Sequence, residues 1–208
     1  MDIDGNAIET VTRYNCDFPS IAQVRTRDTI DGNDKKITGI AVSEISNALY
    51  GIYFSTENGE TVLDDTRPTG FVNVNYGEIK DLKLDKITSY GYNLVGGFCG
   101  INAGSISGLE TMNTDECSVV SGKKHVGGIA GFQVPTDENM EIGNLVNHAL
   151  VEGVQAAGGI LGMVRNDFHF SDIDIQELHG LSAVEKQLLE DPSSLTIRIH
   201  DCENYGAI

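Results

Sequence analysis

The chain has 208 residues, 31 acidic against 14 basic side chains and a formal charge of −17, with 24 glycines, 4 cysteines and no tryptophan. A charge this negative repels phosphate backbones and anionic lipid surfaces, which argues against nucleic-acid binding and peripheral membrane binding. A hydrophobic content of 40% still fills a core, so the acidity is no sign of disorder, and no apolar run reaches the ~18 residues that direct membrane insertion needs.

Residues 1–17 carry neither a basic n-region nor an apolar h-region and read as a leader or capping segment ahead of one domain over 18–208. Thr29–Ile40 (TIDGNDKKITGI) predicts a strand, an Asp-Gly-Asn turn and a second strand. Gly70–Leu84 (GFVNVNYGEIKDLKL) then alternates apolar and polar residues through Ile79, Leu82 and Leu84, the pattern of a strand with one face on a core.

The strongest signal begins at Val95. VGGFCG (95–100), VGGIAG (126–131) and AGGILG (157–162) share one pattern, with Gly96, Gly97 and Gly100 returning as Gly127, Gly128 and Gly131 and again as Gly158, Gly159 and Gly162. The interval is 31 residues each time, and Gly91, Gly122 and Gly153 keep it five residues ahead of each motif. Equal spacing of this kind marks a repeat architecture. Glycine in a helix interior costs up to about 1 kcal/mol per site, and the segments lack a 3.6-residue period, so strands are predicted. Stacked at about 4.8 Å, they would form ladders such as Val95/Val126/Ala157 and Phe98/Ile129/Ile160. Asn75-Tyr76-Gly77-Glu78-Ile79, Asn102-Ala103-Gly104-Ser105-Ile106 and Asn204-Tyr205-Gly206-Ala207-Ile208 read as corners, because Asn and Gly tolerate the left-handed region.

One stretch differs. Ser182-Ala183-Val184-Glu185 is a capping box and Pro192 a stop, which predicts a short helix over 181–191 inside an insertion of about 164–195, with Val184, Leu188 and Leu189 packing on the flank. The predicted fold is therefore all-β, a right-handed parallel β-helix (β-solenoid) with a short helical insertion.

VGGFCGINAGSISGL (95–109), HVGGIAGF (125–132), AAGGILGM (156–163) and NYGEIKDLKL (75–84) together resemble the GLUG-type repeat of bacterial surface proteins, and the closing DCENYGAI (201–208) resembles the opening of another copy. The resemblance implies a right-handed parallel β-helix within large exported, adhesin-like proteins, so this chain is expected to be part of a longer polypeptide. It implies no catalytic residues.

Chemistry-bearing patterns are sparse. No HExxH, GxSxG, phosphate-binding GK[ST] loop or strand-linked GxGxxG is present. Cys16, Cys99, Cys117 and Cys202 form no CxxC pair and read as buried free thiols. Asp167, His169 and Ser171 alternate on a strand too widely for triad hydrogen bonds. Glu110, Glu141 and Asp172 fall 31 apart, as do Asp85 and Glu116, and stacking would bring such carboxylates to glycosidase-like separations. Acidic turns at Asp2/Asp4, Asp31/Asn33/Asp34, Asp64/Asp65 and Asp172/Asp174 read first as solvated acids and second as structural calcium ligands, while no other cofactor or metal is implied. Tyr50, Tyr53, Tyr90 and Tyr92 are the aromatic residues available for surface recognition.

The expected function is a non-enzymatic module at the cell surface or outside the cell, a rigid stalk or an adhesion surface for host or community glycans or proteins. The alternative is a carbohydrate-active enzyme, a polysaccharide lyase or glycosidase, using stacked carboxylates.

Overall fold

A computed structural model of the chain describes residues 20–25, 27–43, 55–57, 60–62, 68–134, 141–164 and 197–208. The expected leader over 1–17 and the expected helix over 181–191 lie outside the described residues, as does the insertion around it except for Val164. Among the described residues the fold is all-β, without an α-helix, and its one helical turn is the 3-10 segment Thr114–Glu116.

The chain visits four parallel sheets in a fixed order. A first pass supplies β1 (Ile21–Val24), β2 (Thr29–Thr38) and β3 (Ala41–Ser43), followed by a small antiparallel hairpin, β4 (Ser55–Glu57) and β5 (Glu60–Val62). The next passes are complete: β6 (Val72–Asn75), β7 (Glu78–Asp85), β8 (Thr88–Tyr90) and β9 (Asn93–Gly96), then β10 (Cys99–Asn102), β11 (Ser105–Thr111), β12 (Val119–Ser121) and β13 (Lys124–Gly127). The same order recurs in β14 (Ala130–Gln133), β15 (Ile142–Asn147), β16 (Leu150–Glu152) and β17 (Gln155–Gly158), and again in β18 (Leu161–Val164) and β19 (His200–Asn204). Sheet I collects β1, β6, β10, β14 and β18, and sheet II collects β2, β7, β11, β15 and β19. Sheet III holds β3, β8, β12 and β16, while sheet IV holds β9, β13 and β17.

Register follows the 31-residue interval where the glycine motifs lie. Asn93, Lys124 and Gln155 are partners, as are Val95, Val126 and Ala157, so that predicted ladder forms. Cys99, Ala130 and Leu161 also align, which stacks Phe98, Ile129 and Ile160 one position earlier. Sheet II departs from the interval: Ser105 pairs with Glu78, 27 residues back, whereas Ile106 pairs with Ile142, 36 residues on.

Three buried apolar clusters result. Sheets I and II enclose Val72, Ile79, Leu82, Leu84, Phe98, Cys99, Ile106, Leu109, Ile129 and Leu145, all buried, each worth about 1.5–3 kcal/mol if a full side chain leaves water. A second cluster joins Val74, Leu94, Ile101, Phe132 and Val134, and a third joins Val95, Val120, Val126, Ala149 and Val151.

Each pass is bent by left-handed residues in constant columns. Asp81, Gly108, Asn144 and Asp201 occupy one position of sheet II with φ of 50, 61, 53 and 50°. Leu94, His125 and Ala156 occupy one position of sheet IV with φ of 55, 51 and 50°. The bend explains why Ile79 and Leu82, three residues apart, both face the core although a flat strand alternates by two. It also corrects the reading of Thr29–Ile40. No turn separates two strands there; β2 is continuous, residues 29–31 pairing with 78–80 and residues 35–38 with 82–85, so residues 32–34 bulge opposite Asp81.

Candidate functional site: stacked amides and a polar cluster on sheet II

The nine motif glycines are present because backbone or a stacked side chain lies where a Cβ would go. A Cβ on Gly96, Gly127 or Gly158 would fall 2.0, 2.0 or 2.1 Å from the carbonyl oxygen of Cys99, Ala130 or Leu161. On Gly131 or Gly162 it would meet the backbone of sheet IV one pass earlier, 2.5 Å from Val95 N or Val126 N, and on Gly100 it would lie 2.5 Å from Thr69 N. Gly97, Gly128 and Gly159 lie under the side chains of Thr111, Asn147 and Asn204. The motif is therefore structural, joining sheets I and IV at close range.

The Asn corners work by a different device from the one their composition predicts. Gly77, Gly104 and Gly206 are not left-handed; a Cβ there would strike Asp28 O, Gly77 O or Ala149 O of the preceding pass at 2.3, 2.2 or 1.9 Å. The asparagine amide closes each corner instead. Asn75 Oδ1 accepts from Gly77 N at 3.1 Å, and Asn102 Nδ2 donates to Gly104 O at 2.9 Å. The amides also join into ladders: Asn75 Nδ2 donates to Asn102 Oδ1 at 2.7 Å, and Asn102 Nδ2 to Gln133 Oε1 at 2.8 Å. A second ladder runs from Asn147 Nδ2 to Asn204 Oδ1 at 2.8 Å, with Thr111 Oγ1 also donating to Asn147. Asn204-Tyr205-Gly206 consequently serves the corner between sheets II and III, in the column of Asn147, and not the corner after sheet I that Asn75 and Asn102 occupy.

Of the stacked carboxylates, Glu110 stands opposite Val146, not Glu141, because the step between β11 and β15 is 36 residues. Glu141 precedes Ile142, whose partner is Ile106, so the two acids lie about five positions apart along the strands, on the order of 16 Å. Asp172 lies outside the described residues. Asp85 is buried and accepts from Lys36 Nζ and Thr114 N, while Glu116 is exposed on the 3-10 turn, so that pair does not stack either.

The structure gathers a different set on the outer face of sheet II. Lys83 Nζ donates to Glu110 at 2.7 Å from one side, and His148 Nε2 lies 3.6 Å from Glu110 on the other. The His148 imidazole stacks on Tyr205, ring centroids 5.0 Å apart and planes 10° apart, and Tyr205 Oη donates to Glu203. The hydrogen bond and charge of Glu110 push the Lys83 ammonium above its ordinary pKa, and those of Glu203 do the same to the Tyr205 phenol. Both shifts run away from neutrality, opposite to what a general acid or base needs. Sequence reasoning found Glu110 but missed His148, Tyr205 and Glu203, whose meeting depends on steps of 36 and 57 residues that no periodicity announces.

Among the described residues no group of three His, Cys, Asp or Glu side chains is placed to hold a metal ion. Asp31 Oδ1 accepts from Asn33 N at 2.8 Å, and its partner in charge is Lys80, 3.9 Å away. The other acidic turns considered for calcium lie outside the described residues. Cys99 is a buried free thiol, pushed up in pKa by desolvation, but Cys117 is exposed and Cys202 half-buried; Cys16 lies outside the described residues.

No protein-family model, curated protein or solved structure matches the chain.

Proposed function

We propose that the chain is a non-enzymatic repeat module, a right-handed parallel β-helix of the GLUG type belonging to a longer exported bacterial protein, and that it serves as a rigid stalk or adhesion surface. The observation that carries this reading is the use made of buried polar groups. Asn75, Asn102 and Asn147 are buried and direct their amides along the stack to the next pass or into their own corners, leaving none of these groups aimed at a substrate. Such ladders make each pass a template for the next, which suits a load-bearing rod. On the surface, Lys83 and Tyr205 are held in their resting charge states by Glu110 across the strands and by Glu203 within its own segment, which again favours pinning over proton transfer.

A second reading, a glycoside-cleaving or lyase surface, retains one observation: Glu110 and Glu203 share a column of sheet II with Val146 between them, two strand spacings or about 9.6 Å apart at the backbone. Incubation with a panel of acidic and neutral polysaccharides separates the two. The module reading expects no product from the wild-type chain. Turnover that Glu110→Gln abolishes would overturn it.

A further inference from the structure

The columns where sheet III turns into sheet IV carry a surface unlike the rest of this acidic molecule. Tyr90, Ser121 and Glu152 are register partners at the end of sheet III, and Asn93, Lys124 and Gln155 open sheet IV. Between them Tyr92, Lys123 and Val154 stack in the loop, Lys123 N donating to Tyr92 O and Val154 N to Lys123 O. Tyr90 is 56% and Val154 75% exposed, and Val154 is the most exposed large apolar side chain among the described residues. Lys123 Nζ sits 4.7 Å from the centroid of the Tyr92 ring and donates to its hydroxyl at 2.8 Å. Lys36, Lys80, Lys83 and Lys86 each pair with a carboxylate, but among the described residues Lys124 forms no carboxylate pair. Lys123 and Lys124 are the basic residues of these columns, and Glu152 is the acidic one.

We propose that this corner is a binding site for a carboxylate-bearing oligosaccharide. The exposed Tyr90 ring and the Val154 methyls offer flat apolar surface to the C–H face of a sugar ring, and Lys123 and Lys124 offer charge to its carboxylate. An acidic peptide is the less suitable occupant, because strand addition needs free backbone groups and the corner's are engaged. The N–H groups of Gly91, Gly122, Lys123, Lys124, Val154 and Gln155 all donate to carbonyls of neighbouring passes. What remains is side-chain surface: ring, methyl and ammonium. The proposal deepens the adhesion half of the reading above and rests on it.

Titration with trigalacturonate at low salt, followed by the tyrosine ring-proton signals, tests the site. Saturable shifts are expected, weakened about fivefold or more by Tyr90→Ala or Lys124→Gln and strengthened by Glu152→Gln, none of which touches the core. The fully methyl-esterified trisaccharide, the same rings without charge, should not bind. Absence of saturable shifts, indifference to all three variants, equal binding of the ester, or equally tight binding of hexaglutamate each overturns the proposal. None of these results bears on the scaffold reading, which turnover tests separately.

Discussion

Asn75 Nδ2 donates to Asn102 Oδ1 at 2.7 Å across 27 residues of sequence, and Asn102 passes the bond on to Gln133. Asn102 is fully buried and also holds both polar groups of Gly104. Asn102→Ala should therefore leave the Asn75 amide and the Gln133 carbonyl short of partners at once. The expected loss is about 3 kcal/mol of unfolding free energy in urea titration. Asn204→Ala, at the exposed end of the other ladder, should cost under about 1 kcal/mol, and equal losses at the two sites would refute the ladder's role.

Two strand glycines should respond to substitution by very different amounts. At Gly131 a Cβ would lie 2.5 Å from Leu94 C and Val95 N, which are backbone and have nowhere to go. Gly131→Ala is expected to cost at least about 2 kcal/mol. Gly108 has φ of +61° and shares its column with Asp81, Asn144 and Asp201, and the closest obstacle is the end of the Asp81 side chain. Gly108→Asn should change stability by less than about 1 kcal/mol, read from the shift in thermal midpoint.

Asp85 joins three passes, accepting from Lys36 at 3.0 Å and from Thr114 N at 3.1 Å. Burial alone would push its pKa up, but the hydrogen bonds and charge of Lys36 together with Thr114 outweigh it and hold the carboxyl below its ordinary value. A carboxyl depressed on folding adds stability that is present above the unfolded pKa of about 3.9 and is lost as pH falls through the folded value. Unfolding free energy should drop below about pH 4, and less steeply in Asp85→Asn. At neutral pH that variant should be about 1.5–3 kcal/mol less stable. Parallel pH profiles for the two proteins would contradict the assignment.

Asn73 is an exception to the economy of the ladders. It is fully buried in β6, and neither its Nδ2 nor its Oδ1 finds a hydrogen-bond partner. Asn73→Leu, of similar shape, should raise the unfolding free energy by about 1–3 kcal/mol by removing that desolvated amide. A lower melting temperature for the variant would show that the amide is satisfied in solution.

Much of this protein was legible in its residues. The GGxxG interval of 31 is a backbone property, since glycines must recur wherever sheets I and IV approach too closely for a Cβ, and the Val95/Val126/Ala157 ladder follows from it. The bent columns were not legible. Left-handed positions are filled by Asp81, Gly108, Asn144 and Asp201 in one sheet and by Leu94, His125 and Ala156 in the other, residue types too varied to form a motif.

Composition and spacing by themselves determined the all-β class, the direction of stacking and the structural role of the glycines, because close backbone contact leaves only one residue type available. Which polar side chains meet was decided by the tertiary structure alone. Glu110 lost Glu141 and came into line with Glu203, and Asn204 joined Asn147, because connections of unequal length shift each sheet's register separately. Columns inherit their partners from accumulated loop length, and that quantity has no period to read.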